Sequence, residues 1–171
     1  RRTGLWTSAT NALQKECLID MKELELKGLS EQDTARIGEK LGEGLFPGAF
    51  IALYGGLGAG KTTLTRSIAA ALGIRGILSP TFTIVREYAG RIPLFHFDAY
   101  RLGDADELYA IGFDEYMARG GAIIMEWCEN VEDALPCDRL EIHIQGSGEE
   151  PRSVRIAASG ATHEKLTEGL A

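Results

Sequence analysis

The segment Gly55-Gly56-Leu57-Gly58-Ala59-Gly60-Lys61-Thr62 constrains this chain more than any other. It fits the pattern G-x-x-x-x-G-K-[ST], in which each part has a mechanical task. Glycines admit torsions that aim successive N–H groups inward as an anion nest, and a helix starting directly behind them adds its positive end. The flanks meet that demand. Ala49-Phe50-Ile51-Ala52-Leu53-Tyr54 is an apolar run of the kind buried in a parallel sheet. Leu64, Ile68 and Leu72 then recur at helical spacing, and Gly73 supplies a stop. The expected order is strand, glycine turn, helix. Main-chain amides at Leu57, Gly58, Ala59, Gly60, Lys61, Thr62 and Thr63 should then form a cup for a nucleotide triphosphate. Lys61 should reach the β and γ phosphates, Thr62 should set its hydroxyl on Mg2+, and Thr63 should lie near the α phosphate.

Such a site needs a carboxylate to hold the metal through its water shell, placed at the end of a neighbouring buried strand. Glu126 follows the apolar run Ala122-Ile123-Ile124-Met125 and is the best placed. A second acid, Asp98, leaves a predicted strand within Phe95-His96-Phe97-Asp98-Ala99-Tyr100-Arg101. It either positions or deprotonates an attacking water, or it serves as a structural hydrogen-bonding group. His96 reads as a packed or hydrogen-bonded residue rather than a catalyst. Thr81 belongs to a loop that could sense a γ phosphate, as switch segments do. Arg101 binds phosphate or pairs with an acid such as Asp104. Trp127 is either core packing or part of a contact surface.

The rest of the chain reads as a mixed α/β pattern. Residues 22–27 alternate as a strand, and Ser30 with Asp33 resembles a capping box opening a helix whose apolar face carries Ile37, Leu41 and Leu45. Residues 82–88 and 92–97 read as an antiparallel hairpin turning at Ala89-Gly90-Arg91. Weak helical patterns at 104–111 and 113–119 are broken by Gly112. Residues 139–145 and 153–158 read as strands, and a final helix is expected over 162–170. The predicted fold is a P-loop NTPase of the α/β class, a mostly parallel central sheet flanked by helices, with one antiparallel hairpin. Residues 1–20 match no clear period and are expected to be an N-terminal arm or an overlong start, leaving 21–171 as one domain.

Composition limits the partners. The chain has 171 residues, 44% of them hydrophobic, enough for a closed core. Lys plus Arg number 18 against 25 Asp plus Glu, a net charge of −7. That balance suits poorly a protein that grips nucleic acid alone, because phosphate neutralisation needs clustered cations. Any RNA role should run through a partner. The three cysteines, Cys17, Cys128 and Cys137, fit neither a disulfide framework nor a four-ligand zinc site, which suits a reducing compartment. No apolar stretch approaches the ~18 residues needed to span a bilayer, so no membrane role and a cytoplasmic location are expected.

Taken together, Leu53-Tyr54-Gly55-Gly56-Leu57-Gly58-Ala59-Gly60-Lys61-Thr62-Thr63, Ser79-Pro80-Thr81-Phe82-Thr83, His96-Phe97-Asp98-Ala99-Tyr100-Arg101-Leu102 and Glu126-Trp127 resemble the TsaE (YjeE) family of bacterial ATPases. The resemblance covers approximately residues 21–144. It implies a small α/β fold with weak ATPase activity of its own, which serves a complex with TsaB and TsaD. That complex installs threonylcarbamoyl on adenosine next to the tRNA anticodon. By the same resemblance, ATP and Mg2+ are the cofactors, Lys61 and Thr62 belong to the nucleotide and metal site, and Glu126 is the metal partner. Residues 79–83 form a switch-like loop, Asp98 is the candidate for hydrolysis, and Thr34 lies near the adenine. A small-molecule kinase of the same fold is the alternative, with Asp98 deprotonating an acceptor hydroxyl. Against it, no arginine-dense lid segment follows the glycine loop. A nucleotide-dependent binding module without turnover is a third reading.

Overall fold

All five residues of β2 (Phe50–Tyr54) are buried, which requires a central strand with both faces covered. The computed structural model describes residues 21–170, so the expectation for residues 1–20 lies outside the described residues. The other strands are β1 (Lys22–Leu29), β3 (Val85–Tyr88), β4 (Leu94–Asp98), β5 (Ala122–Glu126), β6 (Arg139–Gln145) and β7 (Arg152–Ser159). They form one sheet of order β1-β7-β6-β2-β5-β4-β3. Its helices are α1 (Glu31–Gly44), α2 (Lys61–Ala71), α3 (Ala105–Ala110), α4 (Phe113–Ala118) and α5 (Ala161–Lys165).

The sheet is less parallel than expected. Strands β6, β2, β5 and β4 make a parallel core. Antiparallel strands close both edges, β7 and β1 on one side and β3 on the other. The hairpin of β3 and β4 was legible; the partnership of β1 with β7 was not, because it joins opposite ends of the chain.

The parallel core explains where side chains can meet. On one sheet face, Ile51, Leu53, Ile124 and Ile142 pack against Ile37 and Leu41 of α1 and Leu64 and Ile68 of α2. On the other, Phe50, Phe95, Phe97 and Met125 pack against Leu108 of α3 and Phe113 of α4. Helices α1 and α2 approach closely because Gly38 and Gly42 have no Cβ: one at Gly38 would stand 2.6 Å from the Ser67 Cβ, and one at Gly42 would overlap the Ile68 carbonyl. Helix α1 opens with the expected capping box between Ser30 and Asp33, and α2 ends just before Gly73, whose φ is +79°.

Three local expectations are corrected. Residues 82–84 do not extend β3, because the amides of Thr83 and Ile84 both donate to the Pro80 carbonyl, at 2.9 and 2.6 Å, closing a turn. The final helix stops at Lys165 rather than 170, continuing only as a turn. Cys137 is disulfide-bonded, which the cysteine spacing did not suggest, while Cys128 is free and buried.

Candidate functional site

The glycine loop, residues 55–60, joins the end of β2 to the start of α2. Gly55 must be glycine: its φ is +143°, and a Cβ would stand 2.5 Å from the Ile144 carbonyl oxygen of β6. Gly60 (φ +108°) forms the N-cap of α2 and offers no side chain, so none caps the first-turn amides there.

Lys61 is folded back onto this loop and is only 5% exposed. Its ammonium donates to the carbonyls of Gly55 and Gly56, the latter at 3.0 Å, and lies 3.8 Å from the centroid of the Trp127 ring. Burial pulls its pKa below the usual lysine value, and the nearby Glu126, Glu129 and Asp98 charges oppose that pull.

Two carboxylates stand side by side at the carboxyl ends of neighbouring parallel strands, since Asp98 of β4 is in register with Glu126 of β5. Both are buried. Each is held by donors from different elements. The Thr62 hydroxyl at the start of α2 donates to Glu126 at 3.0 Å from Oε1 and 3.2 Å from Oε2, and His96 Nε2 stands 2.8 Å from the same Oε1. Asp98 accepts from the Thr81 hydroxyl at 2.7 Å and from the Tyr100 amide at 2.9 Å. The Thr81 hydroxyl also lies 2.7 Å from that of Ser79, so the loop after α2 is tied to the end of β4.

Lys61, Thr62, Thr81, Asp98 and Glu126 line one cleft of about 240 Å3. Of the residues singled out in the sequence, Leu57, Gly58, Ala59, Gly60, Lys61, Thr62, Thr63, Thr81, Asp98, Glu126 and Trp127 all reach it, together with Ser79. Thr34 does not line it; it is buried in α1, with its hydroxyl donating to the Ser30 carbonyl at 3.0 Å. Arg101 stacks over Phe82 at 4.6 Å, and Asp104 instead caps α3 through the Glu107 amide at 3.0 Å. Trp127 is a cleft-wall residue in the left-handed region (φ +60°), tilted against Tyr100 at 4.9 Å.

His96 is packed and hydrogen-bonded, as expected of it; what the sequence did not name is its partner, Glu126. A signal was present: His96 and Asp98 are two residues apart on a strand, and strand alternation places both on the face that Glu126 shares.

The family profile for "Threonylcarbamoyl adenosine biosynthesis protein TsaE" matches residues 29–154. The tRNA threonylcarbamoyladenosine biosynthesis protein TsaE of Bacillus subtilis (strain 168) is 40% identical over 152 residues, spanning 88% of this chain and 95% of that protein. The protein of the same name from Treponema pallidum (strain Nichols) is 38% identical, spanning 75% of this chain and 96% of its own. The crystal structure of Bacillus subtilis YdiB superimposes with a TM-score of 0.75 at 36% identity, covering 88% of this chain and 95% of that one. With its glycine loop, paired strand-end carboxylates and this breadth of similarity, the chain belongs to the TsaE family.

Proposed function

We propose that this protein is a Mg2+-dependent P-loop ATPase that serves formation of the threonylcarbamoyl group on adenosine next to the anticodon of tRNA, acting with TsaB and TsaD. The pathway follows from the names of its relatives. The observation that carries the chemistry is convergence: Lys61, Thr62, Asp98 and Glu126 come from three elements to one cleft at the glycine loop.

The donor set fits Mg2+, which keeps several waters and takes few protein oxygens. The Thr62 hydroxyl and the Glu126 carboxylate supply such a pair. Among the described residues no group of three or more His, Cys, Asp or Glu could hold a metal, so phosphate oxygens and water would complete the shell. Bound there, Mg2+ would neutralise charge on the β and γ phosphates.

The chain's own residues divide the remaining work. Lys61 leaves the loop carbonyls to meet phosphate oxygens, and the amides at residues 57–63 cradle the rest. Asp98 orients a water and accepts its proton as oxygen attacks the γ phosphorus and the bond to the leaving ADP oxygen breaks. Thr81, on the switch-like loop, gives up its bond to Asp98 as that loop closes. Hydrolysis then resets the loop and the partner contacts. A net charge of −7 fits a subunit that reaches tRNA through the complex. A role in tRNA modification supports a cytoplasmic location. Among the described residues no helix is long and apolar enough to cross a membrane.

Phosphate release by the purified protein, alone and with TsaB and TsaD, tests this reading. Turnover should rise with the partners, and Lys61→Ala, Asp98→Ala and Glu126→Ala should each abolish it. Phosphate transfer to a metabolite without release would favour the kinase reading instead.

A further inference from the structure

We infer that His96 is the positioning residue that fixes the Glu126 carboxylate for the cation, an inference that rests on the proposed Mg2+-ATPase reading. His96 is fully buried, and its Nε2 lies 2.8 Å from Glu126 Oε1. A carboxylate has only lone pairs to offer, so the imidazole carries its hydrogen on Nε2 and donates. Among the described residues its Nδ1 has no hydrogen-bond partner. A hydrogen there would be a buried donor without an acceptor, so the surroundings select the one tautomer that serves Glu126.

The contact is a diagonal one. His96 is in register with Ile124, and Glu126 lies two residues further along β5. Both groups therefore sit on rigid neighbouring strands of the parallel core. The other donor to Glu126, the Thr62 hydroxyl, comes from the first turn of α2 and has a second duty as a metal oxygen donor. With Thr62 alone, the carboxylate could swing about its terminal torsion, and the group holding it would be the one the cation recruits. His96 removes that freedom from behind the site. It engages Oε1 and leaves Oε2, 3.2 Å from the Thr62 hydroxyl, as the oxygen for the cation and its water shell. Groups that orient metal-binding carboxylates typically change metal affinity 10–100-fold when removed.

His96→Gln keeps a donor near the position of Nε2, whereas His96→Asn keeps polarity but is too short to reach. Binding of a non-hydrolysable ATP analogue is measured by calorimetry in EDTA and then at rising Mg2+, with melting curves confirming a folded protein. The Mg2+ concentration at half-effect should rise about tenfold in His96→Asn and stay close to wild type in His96→Gln. Affinity in EDTA should be unchanged in both. Nitrogen-15 spectra of the wild-type imidazoles give a readout that needs no variant: His96 should be protonated at Nε2 and bare at Nδ1, without and with the Mg2+ complex of the analogue. The opposite tautomer would overturn the inference, as would a folded His96→Asn with wild-type Mg2+ dependence or with an equal loss of affinity in EDTA. Wild-type protein with no Mg2+-dependent binding would defeat the ATPase reading and this inference with it.

Discussion

The Lys61 ammonium rests against the ring face of Trp127, 3.8 Å from its centroid, while donating to two carbonyls of its own loop. All of these partners are neutral. A lysine parked in this way must leave the ring to reach an anion, so Trp127 should report nucleotide arrival. In a Trp6→Phe background, which leaves Trp127 as the sole tryptophan, emission should change on addition of Mg·ATP. The response should vanish in Lys61→Ala.

The bond from Thr81 to Asp98 ties the loop after α2 to the end of β4 at 2.7 Å. Asp98→Asn preserves volume but removes the proton acceptor. Partner-stimulated phosphate release should fall at least ~100-fold, the usual scale for a lost general base, while nucleotide affinity changes little. Thr81→Val should leave the melting temperature nearly unchanged and speed amide exchange across residues 79–84. Hydrogen exchange read by mass spectrometry checks it.

Close packing of α1 on α2 gives a prediction about stability alone. Alanine at Gly42 would place a Cβ against the Ile68 carbonyl and 2.7 Å from the Ala71 Cβ. Overpacking of this kind costs about 1–3 kcal/mol, less the ~1 kcal/mol that alanine gains in helix propensity. Chemical denaturation of Gly42→Ala should show a net loss near ~1 kcal/mol.

Acid should weaken the fold through His163. Its Nε2 accepts the Phe50 amide of β2 at 3.1 Å, and burial holds its pKa below the usual 6.5, against a smaller opposing pull from Asp138. The unfolded chain therefore binds the proton first, so stability falls as pH drops below about 6.5 and continues to fall until the folded-state pKa is reached. His163→Gln, which retains an acceptor, should flatten this slope in denaturation curves taken between pH 7 and 5.

The local strand, loop and helix around Gly55 to Thr62 were legible because glycine torsions and apolar periodicity are encoded within a dozen residues. So was the position of Glu126 at the end of a buried strand, announced by four apolar residues before it. Phe82 was misread as strand because its aromatic character suggests β structure, although Pro80 before it organises a turn that leaves it 83% exposed. Pairing of β1 with β7 depends on register between residues such as Leu24 and Ile156, which no local pattern contains. The hydrogen-bonding character of His96 was legible but its partner, Glu126, was not, because that contact depends on a neighbouring strand that the sequence names but does not place. Thr34, assigned by resemblance, has its hydroxyl bound within its own helix.

The central claim is that the amides and lysine of the glycine loop bind a triphosphate. Calorimetric titration of the full chain with Mg·ATP analogue measures this directly. The expected result is saturable binding at a single site that disappears in Lys61→Ala. No saturable heat at millimolar ligand, or equal binding by Lys61→Ala, would contradict it.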